Sequence, residues 1–176
     1  MKRIIAATLA IILTAGLMPF TVTAESLITK KFDFGGLGTA DGYIGVSASD
    51  GYNSAKGYGF ENTDAVENVK ASGTGALSDA VRFKSDVPNH IFSVDLPKGV
   101  YKITVTTGDV RSTTITAEGV PQLFFLTGNN ATDTFTIPVT DGQLNIYAGS
   151  GVGTEFSISA LEIEQTSTDT VTKPTI

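Results

Sequence analysis

Residues 32–60 read FDFGGLGTADGYIGVSASDGYNSAKGYGF. Aromatic residues and glycines alternate with small polar residues in three motifs: FDFG at 32–35, GYIGV at 42–46 and GYGF at 57–60. Clear strand patterns are missing between the first strand and residue 80, and a loop of this length is usually functional or disordered. Residues 32–60 contain several aromatic side chains, whereas disordered segments are poor in them. We therefore predict an ordered excursion over one edge of a β-sandwich.

The rest of the chain favours strands over helices. From Ser26 onward, polar and apolar residues alternate with a period of two, and many apolar positions are β-branched or aromatic. Pro97-Lys98-Gly99 separates two of these strands, Asp141-Gly142 predicts a short hairpin, and the glycine-rich run 149–153 connects the last two. Such spacing predicts an all-β fold, a jelly-roll β-sandwich, with a barrel as the alternative. The predicted strands are 27–34, 80–83, 90–96, 100–107, 112–117, 122–126, 132–139, 143–148 and 155–164.

Residues 1–24 have the pattern of a signal peptide. Lys2 and Arg3 form a basic head, residues 4–20 form an apolar run, and Val22-Thr23-Ala24 offers the small residues that a signal peptidase recognises. The alternative is a membrane anchor, but the run is shorter than the roughly 20 apolar residues that span a bilayer. We therefore expect a secreted, extracellular protein with no membrane contact after cleavage.

The remaining residues suffice for one domain with a hydrophobic core, which we place at 25–164. Residues 165–176 are rich in threonine and serine and predict a linker. The net charge is −6, so nucleic acid and anionic lipid are excluded as partners. An exported chain without cysteine relies on packing alone, which is typical of bacterial secreted modules.

Few residues are suited to catalysis. His90 is the sole histidine, and no Gly-x-Ser-x-Gly or Gly-Asp-Ser motif occurs, so a serine hydrolase site is not predicted. His90 is better explained as a residue at a strand edge. A glycosidase needs two facing carboxylates, and the spacing of the acidic residues brings no pair together. Oxygen ligands are abundant near the loops, so a structural calcium ion remains a candidate cofactor, with no ligands assigned.

Sugar binding fits the composition better. A tyrosine ring can lie against the apolar face of a sugar while its hydroxyl forms a hydrogen bond. Tyr43, Tyr52 and Tyr58 are flanked by glycines or small residues, which allow a ligand to approach closely. Asp109 and Asn129 are two further candidates for ligand binding. Phe32, Phe34 and Phe60 are instead predicted to pack in the core.

The ordered series of motifs carries a family resemblance. The three motifs at 32–60, followed by VDLPKGVY at 94–101, Gly108-Asp109 and DGQL at 141–144, resemble the N-terminal galactose-binding-domain-like region of bacterial rhamnogalacturonan acetylesterases, which are GDSL (SGNH) esterases. Similar modules precede some agarases and pectin lyases. The resemblance spans 27–164 and implies a jelly roll whose loops at one end can bind carbohydrate.

The resemblance also implies a role within a longer enzyme. It identifies the chain as a non-catalytic carbohydrate-binding module that tethers a pectin-degrading esterase to plant cell-wall polysaccharide, pectic or other. The catalytic domain would follow Ile176 and would be covalently linked. An alternative is a structural domain that packs on the esterase domain without binding sugar, since the chain lacks the tryptophan that many carbohydrate-binding modules use. A free-standing enzyme is the third hypothesis.

Overall fold

The computed structural model describes residues 26–84, 86–149 and 156–168. Alternating apolar residues form strands throughout these ranges, with two single-turn 3-10 helices at Thr63–Ala65 and Gly75–Leu77. The predicted all-β class is confirmed. The strands are β1 Thr29–Phe34, β2 Ile44–Val46, β3 Tyr58–Phe60, β4 Val66–Lys70, β5 Asp79–Phe83, β6 Phe92–Asp95, β7 Gly99–Thr107, β8 Ser112–Ala117, β9 Val120–Thr127, β10 Thr132–Val139, β11 Gln143–Gly149 and β12 Phe156–Ser167.

Two sheets form the sandwich. The larger has seven strands in the order β10-β7-β12-β1-β2, with β5 pairing with β12 and β4 pairing with β5. The smaller has five strands in the order β3-β6-β11-β8-β9. Among the described strands, all pairs are antiparallel except β1 with β2. The last strand, β12, lies in the middle of the larger sheet, between β7 and β1.

The core lies between the sheets. Alternate residues of β7 and β11 point inward, among them Ile103 and Leu144, which are fully buried. Phe32 and Phe34 of β1 contact Phe92 of β6 edge to face, at centroid distances of 5.3 and 4.9 Å. The prediction that Phe32, Phe34 and Phe60 belong to the core is confirmed by exposures of 0 to 1%.

The segment between β1 and β5 is ordered and holds three strands that the sequence did not predict: β2, β3 and β4. The first two are three residues long and contain glycine, so they carry too little alternation to be recognised. The Leu37 N–H donates to Asp79 Oδ2, and the Ala40 N–H donates to Asp33 Oδ2, each at 2.7 Å. These bonds hold the segment against the ends of β1 and β5.

The predicted hairpin at Asp141-Gly142 is wrong. The strands on either side, β10 and β11, belong to different sheets, so this turn is a corner between sheets. Pro97-Lys98-Gly99 forms a similar corner between β6 and β7. The two corners touch, because the N–H of Leu96 donates to the carbonyl of Gly142 at 3.0 Å. The residue types of a turn predict that the chain reverses direction. They do not predict which of the two sheets the next strand joins.

Only the C-terminal boundary of the predicted domain can be compared with the described strands. β12 continues to Ser167, three residues into the segment predicted as linker. The predicted signal peptide at 1–24, most of the predicted linker and residues 150–153 of the glycine-rich run lie outside the described residues. Within the described ranges, no helix has the length and apolarity needed to cross a membrane.

Candidate functional site

The outer face of the five-stranded sheet carries a row of polar side chains. Val94 and Leu144 point into the core, so their neighbours along β6 and β11 point outward. The register pairs Gln143 with Asp95 and Asn145 with Ser93. Side chains that are far apart in the sequence thus stand side by side on this face.

A cavity of about 560 Å³ opens at this face. Gln143 and Asn145 form its floor, Glu61 follows β3, and Glu118 belongs to the turn between β8 and β9. Carboxylates, side-chain amides and one aliphatic side chain meet here, a combination that can form hydrogen bonds with hydroxyl groups beside a small apolar contact. The lining residues are Glu61, Asn89, Ile91, Glu118, Gly119, Gln143 and Asn145.

Ser93 links two of the lining residues from below. Its hydroxyl is fully buried and lies 2.6 Å from Glu61 Oε1 and 2.8 Å from Asn145 Oδ1. A hydroxyl carries a single proton and donates it to one acceptor at a time. The group of Glu61, Ser93 and Asn145 therefore retains spare acceptor capacity at the cavity floor.

Glu118 is held over the cavity by the tight turn between β8 and β9. Its N–H donates to the carbonyl of Asn145 at 3.0 Å, and its Oε1 accepts the N–H of Asn145 at 2.8 Å. Burial raises the pKa of the Glu118 carboxyl, the Asn145 N–H lowers it, and the charge of Asp141 raises it further. The carboxylate thus lies against the backbone of β11 and is only partly exposed to solvent.

Tyr52 extends this polar face beyond the cavity. Its hydroxyl lies 3.0 and 3.1 Å from the two carboxylate oxygens of Asp95, and the side-chain amide of Gln143 donates to Asp95 Oδ1 at 3.0 Å. Of the five predicted site residues, Tyr52 is the one that shares a hydrogen-bond partner with a cavity residue.

Tyr43 and Tyr58 lie elsewhere. Tyr43 directly precedes β2 of the larger sheet, its hydroxyl donates to Glu162, and Lys31 Nζ lies 5.6 Å from its ring centroid. The hydrogen bond to Glu162, burial and the negative charges of Glu162 and Asp33 raise the pKa of Tyr43 to about 12. The half-buried ring of Tyr58 packs on Phe32 at 5.1 Å, so it contacts the core on at least one side.

Asp109 and Asn129 are close to each other, at a different place on the molecule. Asp109 Oδ1 accepts hydrogen bonds from the N–H and hydroxyl of Ser72, at 3.1 and 2.8 Å. Asn129 is exposed, and the next residue, Asn130, donates its N–H to the carbonyl of Gly108. The five predicted residues therefore do not form one site, and their role in ligand binding stays a prediction.

Sequence reasoning missed Glu61, Glu118, Gln143 and Asn145. One signal was available, since Gln143 and Asn145 are the polar positions of an alternating strand. His90, for its part, lies just before β6, where its ring centroid is 4.9 Å from that of Tyr147 and Nδ1 is 2.9 Å from the carbonyl oxygen of Val87. It therefore lies at the start of a strand that is interior to its sheet.

No group of three or more acidic, histidine or cysteine side chains could hold a metal ion within the part of the chain that the structure describes. Two buried carboxylates, Asp33 and Asp79, lie close together beneath the segment after β1. Burial raises the pKa of Asp33, the Ala40 N–H lowers it, and the charge of Asp79 raises it further. The Oδ1 atom of Asp33 is buried without a hydrogen-bond partner.

Comparisons with known proteins agree with this architecture. The family model described as Beta-agarase/YXIM esterase-like, galactose-binding domain-like matches residues 30–164. The chain is 48% identical over 149 residues to the uncharacterized esterase YxiM of Bacillus subtilis, covering 83% of this chain and 39% of the relative. The crystal structure of YxiM superposes with a TM-score of 0.80 at 47% identity, covering 84% of this chain and 43% of that one.

A more distant similarity concerns the fold alone. A β-glucuronidase of Bacteroides uniformis superposes with a TM-score of 0.57 at 14% identity, over 78% of this chain and 18% of that one. The chain thus spans well under half the length of these larger proteins, and in YxiM it matches 39% of the sequence.

Proposed function

Because the chain belongs to the Beta-agarase/YXIM esterase-like, galactose-binding domain-like family, we propose that it is the non-catalytic carbohydrate-binding module of a larger secreted esterase. The observation that carries this proposal is the cavity on the five-stranded sheet. Its carboxylates and amides suit the hydroxyl groups of a sugar, and Ile91 offers an apolar contact for the C–H face of the ring.

The finer points of the proposal rest on the resemblance and on similarity to a longer relative. The module would be covalently linked to a GDSL (SGNH) esterase domain, and its ligand would be plant cell-wall polysaccharide, pectic or other. YxiM is described as an esterase and is longer than this chain, which supports a linked catalytic domain. Extracellular localisation follows from the predicted signal peptide.

Affinity gel electrophoresis of the purified chain tests the proposal. Gels containing galactan, rhamnogalacturonan or polygalacturonate are run with and without calcium, and we expect retardation by at least one polysaccharide. Asn145→Ala should abolish the retardation, whereas Asn129→Ala should preserve it. The reverse result would move the site to the loop of Asp109 and Asn129. Migration unaffected by every polysaccharide would reject carbohydrate binding.

The second candidate, a structural domain that packs on the esterase domain, is favoured by an apolar patch. Val120, Phe124 and Phe125 lie on the edge strand β9 and are 56 to 67% exposed. Exposed apolar clusters often mark contact surfaces. In the longer protein, Phe124→Ser with Phe125→Ser should lower the melting temperature of the esterase domain if this role is correct. An unchanged melting temperature would reject it.

A further inference from the structure

The turn that carries Glu118 has an unfavourable residue at its first position. β8 ends at Ala117 and β9 begins at Val120, so Glu118 and Gly119 form a two-residue hairpin loop. Their φ angles are 53° and 72°. Positive φ at both positions defines a type I′ turn, in which asparagine, aspartate or glycine is strongly preferred at the first position. Glutamate there imposes backbone strain that a different residue would avoid.

Strained residues of this kind cluster at functional sites, so an observed outlier supports a hypothesis of function. At this turn, the contacts of the Glu118 side chain indicate a role in ligand binding. Oε1 of Glu118 is held by the N–H of Asn145, and the residue lines the cavity. The second carboxylate oxygen, Oε2, has no hydrogen-bond partner among the described residues and can accept a hydrogen bond from a ligand. An asparagine in this turn would be too short to place an acceptor there.

The charges around the cavity restrict the class of ligand. Two carboxylates, Glu61 and Glu118, line it, and its other polar side chains are the amides of Asn89, Gln143 and Asn145. No lysine or arginine is among the lining residues. Two lysines whose partners the structure gives form contacts elsewhere. Lys30 donates to the backbone carbonyl of Asp95 at 3.2 Å, and Lys56 pairs with Asp50 at 2.6 Å.

A site of this composition favours hydroxyl donors and disfavours anions. Sugar hydroxyls can donate charge-assisted hydrogen bonds to the two carboxylates. The carboxylate of a uronic acid would meet like charges without a cation to offset them. Resting on the proposed function, we propose that Glu118 is a ligand-binding residue and that the cavity takes a neutral, hydroxyl-rich sugar. In a pectic polysaccharide, the site would thus select neutral side chains over the galacturonate backbone.

Isothermal titration calorimetry of the full chain, in EDTA at neutral pH, tests both parts. The probes are oligosaccharides of neutral galactan and of polygalacturonate, and we expect at least about tenfold tighter binding of the neutral one. Glu118→Gln keeps the strained turn and removes the charge, so it should weaken galactan binding by about tenfold. Asp133→Asn, on the opposite sheet, is the matched control and should bind like the unaltered chain.

Glu118→Asn separates a binding role from a structural one. Asparagine relieves the strain of the turn, so the melting temperature should stay the same or rise while galactan binding is lost. A lowered melting temperature with unchanged affinity would show that Glu118 is only structural. Equal or tighter binding of polygalacturonate, or its binding when calcium replaces EDTA, would overturn the neutral-sugar class and leave carbohydrate binding intact. If neither oligosaccharide binds, this inference fails, and the proposed function fails as well if no polysaccharide retards the chain in the affinity gels.

Discussion

Gly59 lies directly against the backbone of Gly51. A β-carbon on Gly59 would stand 2.5 Å from the carbonyl carbon and oxygen of Gly51, a distance that no real side chain tolerates. The φ of Gly59 is 146°, which also favours glycine. This contact joins the GYGF motif to the preceding loop and lets Phe60 enter the core.

We therefore expect Gly59→Ala to lower the free energy of unfolding by more than about 3 kcal/mol, because backbone strain and a backbone clash add together. Gly38→Ala is the matched control, since Gly38 has a φ of 145° and open space around its Cα. Urea denaturation followed by circular dichroism measures both variants. Equal losses would mean that the contact with Gly51 adds nothing to the strain.

Asp33→Asn should stabilise the protein at neutral pH. The raised pKa of Asp33 means that the folded state disfavours its ionised form, and Oδ1 is buried without a partner. An asparagine oxygen can still accept the Ala40 N–H, and its NH2 group carries no charge beside Asp79, so the free energy of unfolding should increase. Thermal denaturation at neutral pH measures the change, with Asp141→Asn as an exposed control.

The stabilisation by Asp33→Asn should also depend on pH. A carboxyl whose pKa is raised on folding costs no stability below its unfolded pKa, near 3.8, where both states are protonated. The cost appears as the pH rises from there through the folded pKa. The advantage of Asp33→Asn should therefore vanish below this window and be complete above it. An advantage that persists in acid would contradict ionisation as its cause.

Tyr58→Ala should destabilise the fold by about 2 kcal/mol, below the range for a fully buried aromatic ring, because Tyr58 is half-buried against Phe32. Tyr58→Phe keeps this packing and should be nearly neutral. Urea denaturation gives the stabilities, and titration with galactan oligosaccharides gives the affinities. Weakened binding without lost stability would instead make Tyr58 a sugar contact.

Alkaline titration should detect Tyr43. Its hydrogen bond to Glu162 raises its pKa to about 12, so its phenol should contribute a late step to the ionisation of the tyrosines, of which Tyr52 and Tyr101 also have raised pKa values. Tyr43→Phe should remove this late step from the ultraviolet absorbance of tyrosinate. Glu162→Gln should move the step toward the ordinary value of 10. A titration curve that is identical for Tyr43→Phe would refute the assignment.

The longer strands were predictable because they alternate over six or more residues, as β10 does at Thr132–Val139. β2 and β3 were not, because three residues with a central glycine give no periodic signal. The turn at Asp141-Gly142 shows a second limit. Its residues favour a reversal, but the choice between pairing and crossing to the other sheet depends on packing across the core.

The candidate site was harder to predict than the fold. Of the tyrosines in residues 32–60 that the sequence predicted as ligand contacts, Tyr52 lies at the margin of the polar face. The cavity itself depends on register, which places Asn145 opposite Ser93 and both beside Glu61. Such a juxtaposition of distant strands leaves no local pattern in the sequence. Besides the polar positions of β11, the unusual glutamate in a two-residue turn was a local sign, and it is visible once the strand ends are known.

The central position of β12 has a consequence for the order of events during synthesis. Of the described strands it is made last, yet β7, β1 and β5 all pair with it. The larger sheet therefore cannot assemble on the ribosome until about residue 167 has emerged, and such long-range pairing is slow. Until then, the nascent chain holds β1, β5 and β7 without the strand that pairs with all three.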